Sequence, residues 1–362
     1  MAISESLPRN DGMMALAARH EEIAALMPRE SKVAFLDYPL GKNVGDLLIM
    51  LGTLRFFKTH GYEVRLSRTL RNTEPRGRLP IGEGDTIVLQ GGGNFGDLYP
   101  HIQNYRERII DEYPDHRILI FPQTIFYKNK NLFARSAERI NRHPDITFFV
   151  RDHVSAEMAR PYFGERVRLV PDMAHQLWPV LREEVAASRG GSASVSPLFF
   201  MRDDEETGTS YIATDARRDE FVDWADVNSN SLRAWKRLFE GLAVLENKVG
   251  FSFRAESFYF EIIRNEVKRV AHRMGQHPVW VTSRLHGFIL GLLLGKPVFA
   301  IDNSYGKLSS YIETWENELM PVGLLKSEAE AAEAMTFVNT HASEPRQALW
   351  SAYCDLHKLV GG

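Results

Sequence analysis

Read by the period of its apolar positions, the first half of the chain alternates short β-like runs with longer helix-like segments. "KVAFLDY" (Lys32 to Tyr38) is an apolar run of strand length. "DLLIMLGTLRFFKTHG" follows, with Leu47, Met50, Leu51, Leu54 and Phe57 on one helical face and Gly61 as a stop. Strands are predicted at "YEVRLS" and "DTIVLQ", a helix around Tyr99 to Tyr113, and a strand at "RILIFPQT". A helix at "NLFARSAERINRH" and strands at "ITFFVRD" and "VRLVPD" complete the set. Strands alternating with helices at this spacing predict a parallel, doubly wound α/β sheet.

The pattern breaks near residues 181 to 195, where "LREEVAASRGGSASVS" turns polar, small and Gly/Ser-rich. This reads as a linker between a first domain, residues 1–180, and a second, residues 196–362. The second opens with a strand, "SPLFFMR", and an acidic, breaker-rich insertion at 203–230. Helices near Ser231 to Asn247 and Glu256 to Met274 follow. Then come a strand "PVWVTS", a buried helix "RLHGFILGLLLG", a strand "PVFAI" and closing amphipathic helices, which have room to pack back on the first domain. No internal repeat is visible. The fold class expected is two Rossmann-like units facing a cleft, an architecture of many transferases that does not by itself settle function.

Composition narrows the field. A net charge of −3 over 362 residues offers no bulk basic field for nucleic acid. The single cysteine, Cys354, excludes an internal disulfide framework and a cysteine-rich zinc site. No secretory signal is visible, and the longest uncharged apolar run, Leu285 to Gly295, is about half a membrane span. The expectation is a soluble, cytoplasmic protein. "MMALAARHEEIAALM" near the start is amphipathic, and its His and two Glu predict packing on protein.

"VLQGGGNFGD" has glycines at 91, 93 and 96 in G-x-G-x-x-G spacing. A dinucleotide site needs that loop in the first βαβ unit and an acid about 20 residues on, ending the next strand. Here the loop follows a third or later strand. Asp111 and Glu112 fall in a helix, and the next strand ends Pro122-Gln123-Thr124. The NAD reading fails on this context. A second loop, "LGKNVGD", leaves the first strand with the same Asn, Gly and Asp types. Both loops fall at carboxyl ends of parallel strands, where open α/β sheets bind ligands, and both are expected to enter helices that present free N–H groups. Asn and Asp there suit a hydroxyl-rich substrate. Asp46 or Asp97 is a candidate to accept its proton, the alternative for each being an N-cap.

Ser283, Arg284 and His286 stand where the apolar helix of the second domain begins. A cation at a helix N-terminus opposes the macrodipole, and a bound anion removes that conflict. Arg284 and His286 therefore read as an anion-binding pair, against the plainer possibility that His286 is a buried, hydrogen-bonded core residue. Arg151 and Arg202, each ending a strand, and Lys307 in "DNSYGK" are further cations that structural ion pairs would explain equally well. No metal cluster, H-E-x-x-H or G-x-S-x-G appears in the sequence.

"NVGD", "QGGGNFGD", "FPQT", "VRD", "VPDMAH" and "SRLHGF" followed by "GLLLGKPVFAI" resemble, in this order and spacing, the polysaccharide pyruvyltransferase family. The similarity runs from about Lys32 to Asn303 and leaves out the acidic insertion and the N-terminal helix. It implies a fold similar to GT-B glycosyltransferases. The implied reaction is transfer of pyruvate from phosphoenolpyruvate to two sugar hydroxyls, giving a cyclic ketal and phosphate, with no cofactor and no metal. The Arg-Leu-His turn of that family carries over to Arg284, Leu285 and His286 as donor contacts, with Ser283 beside them. Arg151 matches a donor-binding arginine of the first domain, and Arg202 is a further candidate. His286 would protonate the donor or bind its phosphate, and Asp46 or Asp97 would orient or deprotonate the acceptor. The first domain would receive the glycan on Asn43, Gly45, Gly92, Gly93, Asn94 and Gln123. Acceptors in the family are commonly lipid-linked or growing surface glycans of exopolysaccharide biosynthesis, which allows peripheral association with the inner membrane face. Two rivals stand beside this reading. A sugar-nucleotide glycosyltransferase of GT-B shape would need a ribose-binding acid late in the chain, for which Glu313 and Glu316 are the candidates. A non-catalytic anion- or glycan-binding protein would use the same cleft.

Overall fold

The structure, a computed structural model, describes residues 10–41, 43–70, 78–187, 194–202, 221–229, 231–249, 255–302 and 306–360. The centre of the expected linker (188–193), most of the acidic insertion and the 303–305 part of the "DNSYGK" loop lie outside the described residues.

In chain order the first unit comprises α1 (Asn10–Ala18), α2 (Glu21–Ala24), β1 (Lys32–Leu36), α3 (Val44–Thr59), β2 (Glu63–Arg68), β3 (Thr86–Leu89), β4 (Gly92–Gly96), α4 (Pro100–Glu112), β5 (Ile118–Phe126), α5 (Lys130–Asn141), β6 (Ile146–Val150), α6 (His153–Phe163), β7 (Val167–Leu169) and α7 (Val180–Ala187). The second holds β8 (Leu198–Phe200), β9 (Phe221–Val222), α8 (Trp224–Val227), α9 (Leu232–Val249), α10 (Ala255–Met274), β10 (Trp280–Thr282), α11 (Leu285–Leu293), β11 (Val298–Ile301), α12 (Lys307–Thr314), β12 (Gly323–Leu325), α13 (Glu328–His341) and α14 (Arg346–Val360).

Among the described residues every strand pair is parallel. The first sheet runs β2-β1-β3-β5-β6-β7 with β4 beside β5, and the second β12-β11-β10-β8-β9. Both faces of the first sheet are apolar, as parallel sheets require. Val33, Phe35, Val88 and Phe121 point into one cluster, while Ala34, Leu36, Ile87 and Ile120 point into another. The first of these clusters continues through α3 and α10 into the core of the second sheet. The two units are therefore joined by apolar packing as well as by the chain. Tyr259 of α10 adds a hydrogen bond from its hydroxyl to the Pro39 carbonyl at 3.0 Å.

The N-terminal segment packs on protein, with Met13, Leu16 and Ile23 fully buried. His20 Nε2 lies 2.9 Å from the Pro171 carbonyl. The closing helices divide. α12 turns to the first unit, where the Thr314 hydroxyl accepts from the His153 N–H at 3.0 Å and Trp315 Nε1 donates to the Arg151 carbonyl at 2.9 Å. α14 stays on the second sheet, with the Tyr353 hydroxyl donating to the Val298 carbonyl at 2.6 Å.

One expectation is corrected. "GGGNFGD" does not lead straight into a helix but forms β4 against the outer half of β5. Glycine makes this possible, because a Cβ at Gly96 (φ +145°) would fall 1.7 Å from the Phe126 carbonyl oxygen. The following helix starts later, at Pro100, whose ring nitrogen has no proton to offer a ligand.

Candidate active site between the two sheets

Each functional side chain is placed by the end of a strand or the first turn of a helix. Asn43 caps α3 by accepting from the Gly45 N–H at 3.0 Å, which sets Gly45 and Asp46 in the first turn. Asp172 follows β7 and caps the helical turn Met173–Leu177 by accepting from the Ala174 N–H at 2.9 Å. Arg151 ends β6, and His286 lies in the first turn of α11. Lys307 opens α12 behind Gly306, whose φ of +67° the missing side chain permits.

These residues converge. His286 packs directly on the α3 backbone: a Cβ on Gly45 would lie 2.6 Å from His286 Nδ1 and 2.7 Å from its Cβ and Cγ. His286 Nε2 is 3.4 Å from Asp172 Oδ2, the same oxygen that accepts from Arg151 Nη1 at 2.5 Å. Arg151 is further fixed by Nε donating to Thr124 Oγ1 at 2.9 Å. A Cβ on Gly93 would lie 3.3 Å from Arg151 Nη2 and 3.8 Å from Lys307 Nζ. Arg151 of the first unit and His286 of the second thus meet at Asp172, with Lys307 near the same glycine as Arg151 and Asp46 alongside.

The two carboxylates are driven apart. Burial alone would raise the Asp172 carboxyl, but the charge and hydrogen bond of His286 and the charge of Arg151 hold it well below the usual carboxylate range. At Asp46 burial wins over the charges of His286 and Arg151, and the nearby Asp172 adds to the upward push. The two carboxyls are thus pushed in opposite directions, an arrangement also found at acid–base sites. Behind them, burial pushes His175 down to about 3, so it is a neutral imidazole at 2.8 Å from the Tyr311 hydroxyl. That hydroxyl also accepts from the Asp172 N–H at 3.1 Å.

Other residues singled out by sequence make contacts of their own. The Arg284 guanidinium is paired with Asp223, the N-cap of α8, so a carboxylate of the same chain now relieves its conflict with the α11 dipole. Ser283 Oγ accepts from the Arg202 N–H at 2.8 Å, tying the end of β8 to the turn, and Leu285 is buried. Asp97 accepts from the N–H groups of Lys128 and Asn129, both at 2.9 Å, as the cap of that turn. Gln123 is fully buried and donates to the Gln90 carbonyl at 2.6 Å. Gly92 backs onto Ile49, while Asn94 and Asp46 share the wall of a cavity. Sequence reasoning missed Asp172, Thr124 and Tyr311. An acid at the carboxyl end of a strand in "VPDMAH" was the available signal for the first. Among the described residues no cluster of three or more His, Cys, Asp or Glu is placed to hold a metal ion.

Two parallel-sheet units meeting around such a cluster define a GT-B-like α/β protein. The sequence profile described as polysaccharide pyruvyl transferase matches residues 43–305, and the chain belongs to that family. It is 37% identical over 304 residues to the Bacillus subtilis protein EpsO, whose name assigns pyruvyl transfer provisionally; the match covers 84% of this chain and 91% of that one. It is 28% identical over 295 residues to pyruvyl transferase 1 of Schizosaccharomyces pombe, covering 78% and 69%. The crystal structure of a functionally uncharacterised Klebsiella pneumoniae protein superimposes with a TM-score of 0.50 at 19% identity, covering 84% of this chain and 92% of that one, a likeness of fold alone. Family membership makes the chain a pyruvyl transferase that acts on polysaccharide.

Proposed function

We propose that the pyruvyl donor is phosphoenolpyruvate and that the products are a cyclic pyruvate ketal and phosphate. The acceptor is a sugar of a surface polysaccharide or of its lipid-linked precursor. The observation that carries this reading is the meeting of Arg151, His286 and Lys307 at the first turns of α3, α11 and α12. A small ligand bearing both a phosphate and a carboxylate needs several cations and helix N-termini at once. Arg284 joins them by exchanging Asp223 for the donor.

The chemistry follows from the groups at hand. His286 delivers a proton to the donor methylene carbon, leaving a cationic carbon that the first sugar hydroxyl attacks. Asp46 takes up the proton of that hydroxyl. A second hydroxyl of the same sugar then displaces phosphate, closing the ketal, and its proton leaves with the phosphate. Arg151, fixed by Asp172 and Thr124, holds the donor in register throughout. The reaction needs no resident cofactor and no metal, and it takes place on the cytoplasmic side, at the inner membrane face when the acceptor is lipid-linked. No helix among the described residues is long and apolar enough to cross a membrane.

His286→Gln tests the assignment. With His286 as the acid, the variant retains phosphoenolpyruvate binding by calorimetry while phosphate release falls at least ~100-fold. Turnover equal to that of the wild type would remove His286 from that role.

A further inference from the structure

The order β2-β1-β3-β5 reverses direction between β1 and β3. α3 leaves on one face of the sheet and α4 on the other, opening a crevice beyond the carboxyl ends of the strands, where open α/β sheets take ligands. A cavity of about 260 Å³ occupies this crevice. It falls just below the roughly 300–1,000 Å³ that larger ligands fill, room for one ring. Asp46 stands in its wall, so the cavity adjoins the cationic cluster.

Its polar wall is unusual. Asp37 ends β1 at φ +64°, a left-handed conformation that Asp tolerates better than most residues, with its N–H donating to the Arg68 carbonyl at 2.9 Å. Its carboxylate accepts from Arg106 Nε at 2.7 Å, and Arg106 Nη2 donates to the Gln90 carbonyl at 3.2 Å. Arg106 is 1% exposed and Gln90 3%. Arg106 Nη1, Gln90 Nε2 and Gln90 Oε1 are buried without a hydrogen-bond partner among the described residues. Such groups are costly unless something else satisfies them. Asp37 is paired with Arg106, and the remaining charged residues of the lining, Lys236 and Asp46, are of opposite sign, so the wall carries no net formal charge; what is left over is a donor on Arg106 and an amide able both to donate and to accept. Leu40, Leu70 and Ile102 give the cavity an apolar side.

We propose that this cavity is the acceptor subsite and takes one neutral hexopyranose ring. The amide of Gln90 and Nη1 of Arg106 read its hydroxyls, each of which both donates and accepts. The ring's C–H face rests on the apolar side, and its reacting hydroxyls face Asp46. The term acceptor rests on the proposed function; the binding of the sugar does not.

Saturation-transfer NMR on the full chain tests this with methyl galactoside, methyl glucoside, methyl mannoside and methyl glucuronide, with phosphoenolpyruvate titrated separately. Gln90→Met keeps the size of the side chain and the hydrogen bonds of the Gln90 backbone to Leu36, Arg106 and Gln123. The expected result is transfer to at least one neutral hexoside and a loss of its affinity of about tenfold or more in Gln90→Met. Phosphoenolpyruvate binding is unchanged, and the Tm is held or raised by roughly 2 °C, because two orphaned polar atoms are gone. Three outcomes would overturn the proposal: no transfer to any neutral hexoside, preference for the glucuronide, or a Gln90→Met variant that loses stability yet binds the hexoside as before. Hexoside binding without phosphoenolpyruvate binding would instead sink the donor assignment and leave this subsite standing.

Discussion

Gly45→Ala isolates the contact between the two units at the site. The added Cβ would lie 2.6 Å from His286 Nδ1 and 2.7 Å from the ring's Cγ and the side chain's own Cβ, whereas ordinary contact begins at 3.4 Å. The imidazole must therefore retreat by about 0.8 Å. Its own Cβ is among the atoms struck, so a turn of the ring alone does not relieve the clash. Alanine in place of glycine in a helix contributes up to about 1 kcal/mol of stability, and overpacking costs about 1–3 kcal/mol. The net loss is between about 0 and 3 kcal/mol, which shifts the Tm by a few degrees and leaves a folded protein. A displacement near 1 Å at a reacting group costs about 100-fold in rate. The variant should thus melt close to the wild type and still bind phosphoenolpyruvate, while phosphate release in the presence of the acceptor glycan falls by about two orders of magnitude. Wild-type turnover in a folded Gly45→Ala protein would refute the reasoning, because His286 would not need its observed position.

Three other outcomes follow from the same contacts. Asp97→Ala should lower stability by about 1 kcal/mol, from the lost cap on Lys128 and Asn129, with kcat unchanged; a collapse of kcat in a stable variant would restore Asp97 to the chemistry. His175 is neutral when folded and titrates near 6.5 when unfolded, so its contribution is complete above that pH and is lost as pH falls toward about 3. The loss is on the order of 5 kcal/mol, Asp172 adds to it below about pH 4, and urea titrations of His175→Gln should show a flatter acid limb than the wild type. Asp223→Asn, by removing the carboxylate paired with Arg284, should tighten phosphoenolpyruvate several-fold in calorimetry, with the gain fading at high salt; unchanged affinity would mean that Arg284 does not contact the donor.

Much of the fold is legible in hydrophobic period because parallel strands buried on both faces read as continuous apolar runs. "KVAFL", "TIVL" and "ITFFV" are β1, β3 and β6. β4 is not legible, since a run of glycines has no side-chain period and its pairing with β5 is made by backbone alone. α6, "HVSAEMARPYF", hides in a short interval and carries Pro161. At the site, Gly45, Asp46, Arg151, His286 and Lys307 are visible as residues at strand ends and helix starts. Asp172 is not, because its role comes from partners 21 and 114 residues away along the chain. Arg284 shows the converse: its conflict with the α11 dipole is legible, but the carboxylate that relieves it in the structure lies on another element. At Gly45 the packing of His286, which the sequence does not show, leaves no space for a side chain.

The central claim is that the cluster of Arg151, His286 and Lys307 holds an enol phosphate. Calorimetric titration of the purified protein with phosphoenolpyruvate, UDP and NAD, with no metal added, tests it most directly, with Lys307→Gln as the control. The account predicts binding of phosphoenolpyruvate alone, weakened about tenfold or more in the variant. Binding of UDP or NAD with no response to phosphoenolpyruvate would contradict it.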